Sequence, residues 1–213
     1  MRKVKFTDEL IENATEIMDQ IMDCEYVEGI KVGEVPKSAL IRYVQQDEMY
    51  LNGYADQFQQ IKKETIDLKL QKFLVICVNG IRDEHTPHDV MMRFIDIAGK
   101  QVQGVPMLSV TKNYVKSMHN AVNTKSILIG LSALAPCIWT YYVIAYQLNK
   151  SDCRNNPFNE WIKFYLDPSE MKSIFYFISQ LAGIHSDERG QANMVFQSSC
   201  QYELDFWNTM YEA

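Results

Sequence analysis

Apolar residues recur every three or four positions along most of this chain, and strict alternation is scarce. Leu10, Ile11, Ala14, Ile17, Met18 and Ile21 share one face of a helix predicted over "DELIENATEIMDQIMD", with Thr7 placed to cap it. Gly29 and Gly33 loosen the chain after it. Pro36 then opens a long second helix, "PKSALIRYVQQDEMYLNGYADQFQQIKKE", as its first residue, where a missing N–H costs nothing. "DLKLQKFLVICVNGIRDEH" predicts a third helix ending before Pro87, and a shorter one follows through Phe94 and Ile97. Beyond the "GKQVQGVP" loop come "SVTKNYVKSMHNAV" and a nearly all-apolar helix from about Thr124 to Leu148. In "NNPFNEWIKFYL", Asn156 is placed as cap and Pro157 as first helical residue. "DPSE" reads as an N-cap (Asp167), an N1 proline (Pro168) and a capping-box glutamate (Glu170). A last helix spans about Asp187 to Tyr211. The short runs "FLVICV" and "VPMLSV" have strand-like composition, but helical signals flank both.

No linker, repeat or low-complexity tract interrupts the pattern, so residues 1–213 are expected to form one all-α domain, a bundle of eight or nine helices. The formal net charge is −6, which argues against a nucleic-acid surface, where a basic stripe is wanted. No apolar run reaches the roughly 18 to 20 uninterrupted residues of a membrane span. The first residues carry basic groups but no apolar stretch like that of a secretory signal. Five scattered cysteines with no CxxC spacing fit reduced thiols in a cytoplasmic protein.

Within that frame a few residues invite chemistry. Pro136 sits inside a helix, where proline costs about 3 kcal/mol, and Cys137 follows it directly, with Tyr141 one turn on. The thiol is either a small buried hydrophobe or a nucleophile beside a bend. Asp47 and Tyr50 share a helix face with Tyr43 and Tyr54, so Asp47 is either exposed at a helix edge or an acid set among aromatics for a flat heterocycle. Glu203 has Phe206 and Trp207 at i+3 and i+4. It is either a surface residue beside a buried ring or a desolvated acid with a raised pKa. Glu84 and His88 have i, i+4 spacing, but there is no Glu-x-x-His pair of the kind helical di-iron sites use, and Pro87 is expected to break the helix between them. No metal site is expected.

Five stretches in order carry a resemblance: "YVEGIKVGEVP", "YVQQDEMYL", "APCIWTYYVIAYQL", "NEWIKFY" and "SSCQYELDFW". Together they are similar to the motifs of the TenA/thiaminase II family, spread over nearly the whole length. The resemblance implies a heme-oxygenase-like helical fold, hydrolysis of aminopyrimidines or thiamin in thiamin salvage, no cofactor, and a homotetramer. It also implies that Cys137 is the nucleophile, Glu203 the acid/base at the ring nitrogen, and Asp47 the holder of the aminopyrimidine edge that helps orient the thiol. Tyr50, Tyr114, Tyr141, Tyr165 and Phe206 would line the pocket. Departures from the family pattern are Ser117 in place of a tyrosine, Ile138 in place of an aromatic, and Cys24-Glu25 in place of His-Pro. The competing readings are a non-catalytic pyrimidine- or thiamin-binding regulatory protein on the same fold, and a metal-dependent oxygenase, which the four histidines disfavour.

Overall fold

The computed structural model describes residues 5–83, 85–93, 105–150 and 154–212. Among them there are eleven α-helices: α1 Phe6–Asn13, α2 Thr15–Met22, α3 Glu25–Val32, α4 Lys37–Glu64, α5 Leu68–Asp83, α6 His85–Met92, α7 Ser109–Asn123, α8 Ile127–Asn149, α9 Asn159–Phe164, α10 Ser169–Ile184 and α11 Arg189–Tyr211. No strand occurs among the described residues; "FLVICV" lies within α5. Phe94 and Ile97 lie outside the described residues.

The all-α expectation holds, but the helix count is higher than expected for identifiable reasons. The predicted first helix is two: it breaks at Ala14, whose backbone leaves the helical region at φ −103°, ψ 2°. Thr7 lies inside α1, and Lys5 stands at the cap position without a side-chain bond. Gly29 does not loosen the chain. It lies in α3 and lets that helix approach the following turn, since a Cβ there would meet the Glu34 carbonyl oxygen and Val35 at 3.0 Å. Gly33 ends α3 at φ 82°, a left-handed stop that glycine adopts freely. Pro36 is the residue before α4, not its first. Pro87 does not break a helix either; it sits in the first turn of α6. Asn156 accepts a hydrogen bond from the Phe158 amide in the turn before α9. The Asp167 carboxylate accepts from the Ser169 amide at 2.9 Å, but Pro168, expected as the first helical residue, stands at the cap position, and α10 begins at Ser169.

Helix α8 forms the axis of the molecule, packed by α4, α7, α9, α10 and α11, with α11 against it over the longest stretch. It runs unbroken through Pro136. In length and composition it is apolar enough to cross a membrane, contrary to the sequence expectation, but 72% of the qualifying stretch is buried inside the protein. The core is aromatic at its centre: Tyr43 stacks on Trp207 at 5.5 Å between ring centroids, and Tyr141 and Tyr26 pack against the same indole. These rings hold α4, α8 and α11 in fixed register and leave a seam between them.

Candidate active site

Helix α4 turns Tyr43, Asp47, Tyr50 and Tyr54 inward, as their spacing predicts, and all four are buried. An ionised carboxylate in that position needs a partner. Asp47 has one in His88, whose Nε2 lies 2.7 Å from Asp47 Oδ2. The His88 ring in turn meets the edge of Tyr43. The contact fixes the carboxylate against α6.

Facing it, α11 carries Glu203, which is 2% exposed. Its Oε1 accepts the Tyr114 hydroxyl from α7 at 2.7 Å. Burial drives the Glu203 carboxyl up to about 8, the Tyr114 and Thr140 hydroxyls pull the other way, and the negative charge of Asp47 adds to the rise. At neutral pH this group therefore holds a proton. Tyr50, Tyr114 and Tyr141 are pushed well above the usual tyrosine value, chiefly by burial, so they remain neutral hydroxyls. Asp47, Tyr50, Tyr114, Tyr141, Glu203 and Phe206 together line one narrow crevice.

Tyr141 forms the wall between this crevice and a larger cavity of about 230 Å³. Cys137, half-buried, lies on that cavity's wall with Ile138, and Tyr165, Tyr142, Phe164, Leu51, Gly80 and Glu170 also line it. The thiol lies close enough to Tyr50, Tyr54 and Tyr114 to add to the rise in their pKa values. Behind Pro136, the Tyr54 hydroxyl donates to the Leu134 carbonyl at 2.7 Å, which secures α8 to α4 next to the proline. The cavity is smaller than the roughly 300–1,000 Å³ of sites for drug-sized ligands, and suits a single heterocycle with a short arm.

All eight residues singled out in the sequence converge on these two adjoining spaces. Asp47, Tyr50, Tyr114, Glu203 and Phe206 line the crevice, Cys137 and Tyr165 the cavity, and Tyr141 both. Two residues escaped the sequence reading in this role. His88 stood out only for its spacing from Glu84, and nothing in the local pattern pairs it with Asp47 forty-one positions earlier. Glu170 read as a helix-capping residue. Among the described residues no three His, Cys, Asp or Glu side chains converge as a metal ion would require.

Residues 11–213 match the TENA/THI-4/PQQC family. An aminopyrimidine aminohydrolase of Halalkalibacterium halodurans is 26% identical, over 98% of this chain and 96% of its own length. A TenA homologue from P. horikoshii OT3 superposes with a TM-score of 0.84 at 22% identity, covering 98% of this chain and 99% of that one. A domain of unknown function from Shewanella denitrificans OS217, described as having a heme-oxygenase-like fold, superposes at 0.68 with 14% identity, over 95% of this chain and 90% of its own. The fold is the heme-oxygenase-like one that the sequence motifs implied.

Proposed function

From the premise that the chain belongs to the TENA/THI-4/PQQC family, we propose that it is a cytoplasmic hydrolase of 4-aminopyrimidines, a single-domain subunit of a homotetramer. It converts an aminomethylpyrimidine to the hydroxymethylpyrimidine, or cleaves thiamin, in thiamin salvage. The name of the Halalkalibacterium relative supports this reaction class. The observation that carries the reading is the pairing of two unlike acids across one crevice. Asp47 is held by His88 as an acceptor, and Glu203 is held protonated by burial, with a cysteine on the adjoining wall.

The chemistry follows from the roles those positions suit. Asp47 accepts from the 4-amino group and helps orient the thiol, Glu203 faces a ring nitrogen, and Tyr50, Tyr114, Tyr141 and Phe206 enclose the flat ring. The Cys137 thiolate adds to an electron-poor ring carbon while Glu203 gives its proton to the ring nitrogen. The electron pair then expels the group on the exocyclic methylene, as ammonia or as the thiazole. Water adds to the methylene and gives up one proton, to the expelled ammonia or to solvent. The ring nitrogen returns its proton to Glu203 as the thiolate departs and the aromatic ring is restored. The ring is its own electron sink. Such a desolvated site favours addition because the neutral intermediate replaces a charged nucleophile.

The test is turnover of 4-amino-5-aminomethyl-2-methylpyrimidine by purified protein, following ammonia and the hydroxymethyl product, with Cys137→Ser alongside. Expected is product from the wild type and a loss of at least roughly 10³-fold in the variant, with ligand binding retained. Turnover by Cys137→Ser near the wild-type rate would remove Cys137 from its role. Ligand-induced stabilisation without product from either protein would favour the binding-module reading instead.

A further inference from the structure

We propose that Glu170 selects substrates by the charge of their exocyclic arm, receiving a cationic arm, ammonium or thiazolium, at the outer end of the Cys137 cavity. This rests on the aminopyrimidine reading of the site and extends it to a residue outside the five motif stretches.

The crevice between Asp47 and Glu203 is narrow and on the proposed reading takes the ring, so the arm that leaves the ring extends into the 230 Å³ space on the Cys137 side. Glu170, from the first turn of α10, lines this space. The sequence places it as a capping-box residue, yet Asp167 accepts from the amide and hydroxyl of Ser169, and no described residue donates a hydrogen bond to the Glu170 carboxylate. Nor does any described lysine or arginine pair with it. Helix α5 makes room for it: a Cβ on Gly80 would lie 2.9 Å from Glu170 Oε1, so a glycine stands inside a helix where alanine is otherwise preferred.

The remaining wall suits a cation as well. Phe164, Tyr165, Tyr141 and Tyr142 line the same space, and aromatic rings attract cations. Burial, with the nearby Asp167 charge adding to it, raises the Glu170 carboxyl to about 7. A cation seated beside it reverses both effects. An acid seated over a glycine, with no donor among the described residues and facing the reaction cavity, is complete only when the ligand brings the positive charge.

The experiment compares two ligands that share the ring and differ in the arm: 4-amino-5-aminomethyl-2-methylpyrimidine, cationic, and 4-amino-5-hydroxymethyl-2-methylpyrimidine, neutral. Dissociation constants are measured on the Cys137→Ser background, with Glu170 intact, as Glu170→Gln and as Glu170→Asp. Glu170→Gln is expected to weaken the cationic ligand about tenfold and the neutral one less than twofold, and Glu170→Asp to restore part of the difference. If both ligands weaken together, or neither changes, Glu170 does not read the arm and the inference falls while the ring site stands. If the Glu170-intact protein binds neither ligand, the aminopyrimidine reading itself falls and takes this inference with it. The melting temperature of each variant separates a loss of fold from a loss of selectivity.

Discussion

Two partly or wholly buried carboxylic acids line the two adjoining spaces, and the fold holds them in opposite ways. Glu203, in the inner crevice, is sealed from water and tied by the Tyr114 hydroxyl, with Thr140 also bonding to it. Glu170, in the outer cavity, is half-buried, without a described donor, and set against a glycine. Burial is the main cause of the raised pKa in both, to about 8 and about 7. The same shift therefore accompanies different designs. The inner acid keeps its proton in a fixed position, as a group that must deliver it to one ring nitrogen should. The outer acid has its protein partners withheld, so that a ligand supplies the missing charge.

The strongest way to break this contrast is Glu203→Gln. Gln fits the site and can accept the Tyr114 hydroxyl, but it cannot exchange a proton, so kcat should fall roughly 10²- to 10⁴-fold. In the wild type, kcat/KM should fall as pH rises through about 8, because the protonated form is the active one. Stability gives an independent reading. A carboxyl raised from its unfolded value favours the folded state fully below that unfolded value, near 4.5, and loses the contribution as pH rises to the folded pKa. Wild-type stability should thus decline between about pH 4.5 and 8, with Glu170 contributing only up to about 7. Glu203→Gln should abolish the last part of that decline. Denaturant midpoints measured at pH 7 and 8 check this, and an unchanged slope in the variant would contradict the inner-acid assignment.

Tyr114→Phe makes a smaller cut in the same wall. The ring keeps its stack on Tyr202 and its contact with Tyr50, and only the hydroxyl goes. That hydroxyl stabilises the ionised carboxyl, so removing it moves the Glu203 pKa further up. The alkaline limb of the activity profile should shift to higher pH, with kcat reduced about 2- to 10-fold. A shift to lower pH would show that Tyr114 acts on something other than Glu203.

The sequence carried the inner region better than the outer. The inward face of α4 and the Glu203–Phe206–Trp207 spacing on α11 are local patterns, legible because helical period and burial coincide there. The order of the motifs added the expectation of a nucleophile at Cys137, which the proposed function carries forward. His88 was hidden by its own neighbourhood: Pro87 reads as a breaker, whereas it occupies the first turn of α6 at no cost and brings the imidazole to Asp47. Helix α3 was missed because Gly29 and Gly33 look like punctuation, and only the packed turn at Glu34 and Val35 explains the first of them. Glu170 was misread for a different reason. A capping box accounts for it completely at the local level, and its position against α5 is a tertiary fact that no window around residue 170 contains.

The finest test of the contrast is Gly80→Ala, which touches the outer acid without altering any ionisable group. Replacing a glycine inside α5 should by itself stabilise the helix by roughly 0.5–1 kcal/mol. Against this stands the new methyl, 2.9 Å from Glu170 Oε1, but the obstructing atom is the end of a flexible side chain that has no described hydrogen bond to lose. The carboxylate should swing aside and the helix gain should win, raising the melting temperature by about 2–4 °C for a chain of this size. With the carboxylate displaced, preference for the cationic arm should drop about 2- to 3-fold while kcat is unchanged, because Glu203 and Cys137 are not disturbed. Should the variant instead lose stability, Glu170 is anchored more firmly than its contacts account for. The outer acid would then be a structural group, and the difference between the two regions would reduce to depth of burial.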